Sequence, residues 1–548
     1  MIRGGVACLF AGLLVARAFA SGPVGSPWPG PTPGGAPSIG PCRASLPEMP
    51  RFLVDTKLAP PTGRALAVPE GGDLQAALDQ AAPGDVIELA PGATYVGPFH
   101  LRSKGGIGWI IVRAGTSDEG LPPPGARLDP ARALSLPKLE AAASSVLVAE
   151  PRAHHFRFIG LEMRPRSGSY LTNLVQLGSD ERSEDQLPHH IIIDRCYLHG
   201  DPQRGTRRGV ALNGRDIAII DSTLADFKEV GADSQAIAGW NGTGPFLIRN
   251  NDLEGAGENV IFGGSTPSIR RLVPSDIVIE DNTFSKPLSW KSDEPDYAGT
   301  PWTIKNLFEL KNARRVLVEH NRFQNSWVQA QRGFAMLLTV RTEMETAPWA
   351  VIEDVVIRNN RVRRCAGGVN LLGMDDSLPR GSGHTRRVAI VNNLFEEIGG
   401  ARWGGGGILF QILNGVGDLL IEHTTALQTG HIIAADLLPS PGFIFRDNIA
   451  LHNQYGIFGS GSGSGLPAIA AYFPEGVIVK NVIIGVPEGV RYPAENFFPA
   501  SLDDVGFVAA ATGVYQLSAG SRYHGASTDG RDLGVDVTAL PPPGEEAP

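Results

Sequence analysis

Lys311 and Arg341 are the residues whose type and setting most directly suggest chemistry, because each ends a short apolar strand pattern. In Phe308-Glu309-Leu310-Lys311, period-two alternation turns Phe308 and Leu310 one way and Glu309 and Lys311 the other. In Leu338-Thr339-Val340-Arg341, the same rule points Leu338 and Val340 inward and leaves Thr339 and Arg341 outside. If the chain makes one circuit between these strands, the two basic side chains stand on neighbouring rungs, about 4.8 Å apart in backbone spacing. Two like charges there are unfavourable, and an anion between them offsets the repulsion. Such a pair could hold a carboxylate while one amine removes a weakly acidic proton beside it, which is charge stabilisation and base catalysis together. Lys311 is the candidate base, Arg341 the carboxylate clamp, and Glu309 an opposite charge beside the base.

The scaffold that must position them reads as many short strands. The chain has 548 residues, 42% hydrophobic and 19% charged, with 68 Gly and 43 Pro, which favours frequent turns and either several domains or one elongated repeat. From His189 onward one phrase recurs: IIIDRCYL, IAIIDSTL, FLIRNNDL, IVIEDNTF, VLVEHNRF, VVIRNNRV, VAIVNNLF, LLIEHTTA and FIFRDNIA. Its turn position falls on Cys196, Ser222, Asn251, Asn282, Asn321, Asn360, Asn393, Thr424 and Asn448, at intervals of 24 to 39 residues. A constant phrase with variable gaps means one stacked unit per repeat, with insertions confined to loops. An amide that tolerates tight turns and bonds to the next copy suits an internal ladder. A further short strand precedes each phrase, as in NLVQL, NLFELK and LLTVR. Two strands, an Asn turn and a third short strand describe one coil of an all-β parallel β-helix. A leucine-rich solenoid would be more regular, and a propeller would need four-stranded antiparallel blades.

The ends frame this core. Residues 1–20 read as a secretory signal, with Arg3, an apolar run from Val6 to Val15 and Ala18-Phe19-Ala20 before the cleavage point. Residues 21–47 form a Pro/Gly-rich linker expected to be disordered, residues 48–540 a single β-helix domain with caps at both ends, and residues 541–548 a disordered tail. Ordered structure is expected to begin near Val68. Asp73 can cap a short helix from Leu74 to Ala81 that lies over the open first coil. No stretch after the signal has the roughly 20 apolar residues that span a bilayer. Cys196 and Cys365 read as core thiols and, with Cys42, are too few for a disulfide framework. The net charge of −9 offers nothing to nucleic acid, yet from Lys305 to Arg341 seven Lys/Arg face only Glu309 and Glu319.

At this point the sequence resembles the right-handed parallel β-helix, pectin-lyase-like superfamily, nearest in pattern to the chondroitinase B and alginate lyase group. The opening PGDVIELAPGATYVGPFHLRSKGGIGWIIVRAG resembles the first coil of that group, and VYQLSAGSRYHGASTDGRDLGVDVTAL its closing segment, expected over the last coil. The resemblance implies a right-handed helix and a polysaccharide lyase. It also implies a catalytic Lys shortly before a ladder Asn and an Arg one coil later, roles that fall on Lys311 and Arg341. Two acidic calcium ligands upstream of the Lys are part of that pattern; here the positions hold Ile304 and Asn306. Calcium is thus possible but its ligand pattern is not matched, and the metal is unknown.

Four long insertions, Ser285 to Thr303, Asn325 to Phe334, Thr342 to Ala350 and Gly373 to Thr385, flank the Lys311 and Arg341 strands and could wall a groove. Trp240, Asn241, Asn259, Trp302, Trp327, Arg332 and Asp375 are the candidate substrate contacts, the tryptophans as stacking surfaces for sugar rings. Asp375-Asp376 with His384 and Asp436 offers a second chemistry, inverting hydrolysis by paired carboxylates as in polygalacturonase-type hydrolases. His154-His155 and His189-His190 begin strands, where alternation sends neighbours to opposite faces, against metal chelation by either pair. The glycines of 459–465 read as a flexible loop. The expectation is a secreted, monomeric β-helix acting on an acidic polysaccharide, with no nucleic-acid or membrane partner. It would be a lyase by preference, a hydrolase or a non-catalytic carbohydrate-binding solenoid otherwise.

Overall fold

The computed structural model describes residues 45–115 and 120–543. The segment read as a signal, most of the linker, Cys42 and residues 544–548 lie outside the described residues.

Successive strands are dealt in turn to three long sheets, so each strand's neighbour in its sheet is the one met a full coil later. Val316, for example, lies between Ile277 of the preceding coil and Val355 of the next. The result is a right-handed parallel β-helix whose sheets hold fourteen, thirteen and thirteen strands among the described residues. The β-branched part of the repeated phrase builds the first sheet, the residues after the ladder position enter the second, and the preceding apolar strand forms the third. A strand missed by the repeat reading, Gln235–Gly239, takes its place in the third sheet.

The ladder is present and buried. Asn282 Oδ1 accepts the Asn251 amide at 2.9 Å, Asn321 Oδ1 that of Asn282 at 2.9 Å, and Asn360 Oδ1 that of Asn321 at 2.8 Å. It continues through Asn481 and Asn496 beyond the nine positions read from the repeats. The residue before the rung is left-handed, with φ of 54° at Asn250, 60° at Asp281 and 54° at His320, a conformation that Asn, Asp and His adopt more readily than other side chains. This sharp bend carries the chain from the first sheet into the second. Inside, aromatic rings stack coil on coil, as Phe284 on Phe323 at 4.4 Å.

Both ends are closed. Helix Leu74–Gln80, capped by the Asp73 carboxylate on the Ala76 amide at 2.9 Å, buries Leu74 and Leu78 over the first coil. At the far end, the glycine run is an ordered antiparallel turn, with Phe458 opposite Ser464, leading into helix Leu466–Tyr472, whose Ala468 and Ile469 seal the core. Order begins well before Val68. Residues 49–56 cross the outer face of the first sheet, where Met49 and Val54 cover Ile192, Leu247 and Leu317, and Thr56 receives hydrogen bonds from Arg157 and Arg249. The closing segment does not stop at the last coil: it runs back along the second sheet, tied at Thr425 by Val535, at Asn392 by Asp536 and at Arg322 by Pro542. Pro541 and Pro542 therefore belong to the folded body rather than to a loose tail. Cys196 and Cys365 are buried free thiols, each pushed up to about 12 by burial. Among the described residues no helix is long and apolar enough to cross a membrane.

Candidate active site

Strand Phe308–Leu310 lies beside strand Phe334–Leu338 in the third sheet, with Leu310 opposite Leu338. Lys311 therefore stands next to Thr339, and Arg341 follows diagonally on the same edge, where its amide donates to the Lys311 carbonyl at 3.3 Å. Leu338 and Val340 fill the core as alternation requires. The Lys311 ammonium is 3.6 Å from Glu309, and the Arg341 guanidinium 3.5 Å from Asp375. Their side chains stay 17% and 27% exposed, so each cation is held by a carboxylate without being covered by it.

Glu309 is buried and accepts hydrogen bonds from Thr339 Oγ1 at 2.6 Å and from Asn306 Nδ2 at 3.3 Å. Burial pushes its carboxyl up, but the charges of Lys311 and Lys305 and those two hydrogen bonds outweigh burial and hold it below the usual carboxylate range. It stays an anion, fit to position Lys311 and unfit to donate a proton. Behind it, the Lys305 ammonium donates to Asp233 at 2.6 Å and to the fully buried Glu258 at 3.1 Å. Burial opposes that charge, yet Glu258, Glu309 and Asp233 hold it far above the usual lysine range. Gln235 bridges Glu258 at 2.7 Å and Arg208 at 3.0 Å, and Arg208 lies over the Trp240 ring at 5.2 Å. A row of polar side chains thus runs along the outside of the third sheet from Trp240 to Lys311.

The site also contains Glu343, which the sequence reasoning missed. Glu343, Met344 and Glu345 have φ of 48°, 58° and 68°, a left-handed turn made without glycine, at a cost of order 1–3 kcal/mol per residue. Asp375 supports the turn by accepting the Thr342 amide at 3.0 Å and the Thr342 hydroxyl at 3.3 Å. Glu343 Oε1 is buried without a hydrogen-bond partner among the described residues. Burial pushes its carboxyl up; Lys311 and Arg341 pull it down, Glu309 and Asp375 push with burial, and the net effect is a carboxyl above its ordinary value. Two glutamates in the insertion directly after Arg341 were the available signal; only the backbone turn brings the first of them back to the cations.

Several expected sugar contacts are internal instead. Asn241 is buried, donating to the carbonyls of Ser179 and Glu181 at 3.2 and 3.0 Å and accepting the Ile269 amide at 3.0 Å. Asn259 is buried too, donating to the carbonyls of Leu253 and Ser285 at 2.6 and 2.7 Å and accepting from Lys286 at 3.3 Å. Neither has a polar group left for a ligand. Trp302 and Trp327 pack with Trp290, Trp403 and Ile304 in a small separate core, because long insertions on the outside of a coil need an apolar centre of their own. Trp240 remains half-buried on the polar row, Arg332 is exposed, and Asp375 is spent on the turn after Arg341. The hydrolase constellation does not assemble: Asp375 is fixed inside while Asp376 is exposed on the loop, and Asp436 caps the Leu437 amide at 2.8 Å.

Calcium does not fit this site. It takes six to eight oxygen ligands, whereas Ile304 is buried in the tryptophan core and the Lys305 ammonium already occupies Glu258 and Asp233. Asn306 offers a single unpartnered buried oxygen. Among the described residues, three His, Cys, Asp or Glu ligand atoms converge within 4.8 Å only at a group of histidines on the first sheet.

No family model and no curated protein matches the chain. Among solved structures it is similar to the PL6-family alginate lyase AlyGC, with a TM-score of 0.49 and 15% identity over 88% of this chain and 59% of that one. It is similar as well to a mannuronic-acid-specific family 6 polysaccharide lyase from the human gut microbiota (TM-score 0.42, 12% identity, 81% of this chain and 84% of that one). A third is the pectate lyase Pel9A (TM-score 0.36, 13% identity, 86% and 96%). The chain spans about three-fifths of the length of AlyGC. These likenesses, each below a TM-score of 0.5, concern the fold alone.

Proposed function

We propose that this protein is a polysaccharide lyase that cleaves a uronic-acid-containing polymer by β-elimination at Lys311 and Arg341. The observation that carries the reading is the pair itself: two partly exposed cations on successive rungs, joined through the Arg341 amide and the Lys311 carbonyl and backed by Glu309 and Asp375. A uronate carboxylate meets the planar fork of Arg341, whose geometry suits bidentate recognition. Lys311 first gives a proton to solvent, and its amine then takes the proton from C5. The electron pair of that C–H bond forms the C4=C5 double bond, the C4–O4 bond breaks, and O4 leaves with its electrons and takes a proton from Glu343. Glu343 suits that role because burial keeps its carboxyl protonated to higher pH than an ordinary glutamate. The proton on Lys311 then returns to Glu343 or to water. Along the polar row, Arg208 and Trp240 extend the trough for further anionic units. The same proposal makes the protein an exported monomer, with residues 1–20 as its signal.

The test is to incubate purified protein with alginate, pectate, glycosaminoglycans and glucuronan and to follow the ultraviolet absorbance of the unsaturated product. Rising absorbance on one of these polymers supports the reading. New reducing ends without absorbance mean hydrolysis, and neither signal means binding alone.

A further inference from the structure

On the first sheet, away from the lyase site, four imidazoles meet. His154 and His155 open strand His154–Ile159, and His189 and His190 open its neighbour His189–Asp194, with His189 in register with His154. Strand alternation would separate the members of each pair. The structure overturns that expectation, because His155 and His190 have φ of 59° and 53°, and a left-handed residue breaks the alternation. The rings share one face: His154 stacks on His189 with centroids 5.0 Å apart, and His155 on His190 at 4.5 Å.

In later coils the same column is built from opposite charges. Asp276 and Arg315 pair at 2.7 Å, and Asp354 and Arg387 at 2.6 Å. The histidine rungs replace that complementarity with like groups, which a shared cation satisfies. Proton placement supports this. The Lys104 carbonyl, 2.8 Å from His154 Nε2, can only accept, so that nitrogen carries a proton. His154 Nδ1 then accepts from His155 Nδ1 at 2.8 Å, which leaves the His155 Nε2 lone pair outward. The Nδ1 atoms of His189 and His190 also lie 2.8 Å apart, a contact that opens when both rings turn to one ion. Imidazole nitrogens are the commonest protein ligands for such metals.

One nitrogen from each of His155, His189 and His190 lies within 4.8 Å of the other two. Zinc–nitrogen bonds of about 2.0–2.1 Å put tetrahedral ligands about 3.4 Å apart, so modest rotation of these half-buried rings closes the set. We propose that His155, His189 and His190 bind a divalent d-block ion of the zinc type, with water in the fourth position. His154 acts as the outer partner that fixes the His155 tautomer. Asp216, 3.6 Å from His190 Nδ1, supplies counter-charge; Arg215 beside it opposes the ion, and Trp109 flanks His155 at 5.3 Å. The ion would join two adjacent coils, one carrying His155 and the next His189 and His190.

Tag-free protein titrated with Zn2+ by calorimetry, and melted with and without Zn2+, tests the site. One Zn2+ per chain and a raised melting temperature are expected. The His155→Ala/His190→Ala double variant should bind at least about tenfold more weakly, the loss that removing even an outer partner brings, and should lose the melting shift. His320→Ala, a histidine outside the cluster, should keep both. If the double variant does not fold, His190→Gln alone is read the same way. No Zn2+ uptake by the parent chain, or uptake equal to that of the cluster variant, overturns the proposal.

Discussion

Arg341 donates its backbone N–H to the Lys311 carbonyl at 3.3 Å, so the two cations are aligned by main chain and not by their own tips. Changing either tip should leave the frame standing. Lys311→Ala is expected to cut elimination by about 10²–10⁴, the usual worth of a positioned proton-transfer group. Melting should shift little, because Glu309 keeps its hydrogen bonds from Thr339 and Asn306 and the nearby charge of Lys305. Arg341→Lys keeps the charge and loses the fork, so KM should rise more than kcat falls. Steady-state rates of unsaturated product, with thermal melts of each variant, decide both; full activity in Lys311→Ala removes it as the base.

Glu343 makes a prediction about pH. A carboxyl raised by burial donates a proton only below its elevated pKa, so turnover should fall as pH rises through that value. Glu343→Gln should lower kcat and flatten that limb. Stability runs in the same direction: a raised folded-state pKa gives stabilisation that is full at low pH and lost as pH rises through the folded value. At neutral pH the Gln variant should therefore melt no lower than the parent, while at acidic pH the parent gains on it. Profiles of kcat/KM against pH and melts at the two pH values test this; an unchanged pH profile excludes Glu343 as the acid.

The architecture was legible because its signals are local and repeated. Each coil restates a β-branched strand and a ladder residue, so Asn251, Asn282 and Asn321 align without any knowledge of the loops. Lys311, Glu309 and Arg341 were legible for the same reason, since strand alternation decides which side they face. Legibility failed where backbone or packing departs from the strand rule. Left-handed residues at His155, His190 and Glu343 redirect side chains that alternation sends elsewhere. Trp302 and Trp327 looked like stacking surfaces because a sequence does not reveal that the insertions carrying them pack together with Trp403 into one apolar cluster. Asn241 and Asn259 were misassigned because a buried amide anchoring a corner and an exposed amide gripping a sugar are the same residue type. Glu343 sits in an insertion with no repeat to compare.

The ladder gives a stability prediction independent of activity. Asn321 accepts from the amide and side chain of Asn282 at 2.9 and 3.0 Å, and it donates to the carbonyls of Ile279 and Glu319 at 2.8 and 2.9 Å. Asn321→Ala leaves the buried Asn282 backbone N–H without its acceptor, at about 1–3 kcal/mol for the unsatisfied group, while the Glu319 carbonyl and the Asn282 side chain keep other bonds. Cys196→Ser, at the start of the column, should be nearly neutral, since Ser222 already serves as a rung there. Denaturant midpoints measure both. A harmless Asn321→Ala would mean the column is decoration.

Lys305 gives the last prediction, about metal. Its ammonium stands between Asp233 and Glu258, where a divalent ion would need those same carboxylates. Elimination should therefore be insensitive to a calcium chelator and to added calcium. A chelator that strips the histidine cluster should lower the melting temperature without changing turnover well below it. Lys305→Ala leaves Glu258 buried beside Gln235 with its cation gone, and it should destabilise the fold by about 3–5 kcal/mol, the cost of breaking a buried pair from one side. If the chelator instead abolishes turnover and calcium restores it, calcium displaces the lysine and the site works as a metal centre. If the alanine variant gains activity with added calcium while the parent does not, Lys305 is confirmed as the fixed charge that stands where a metal could.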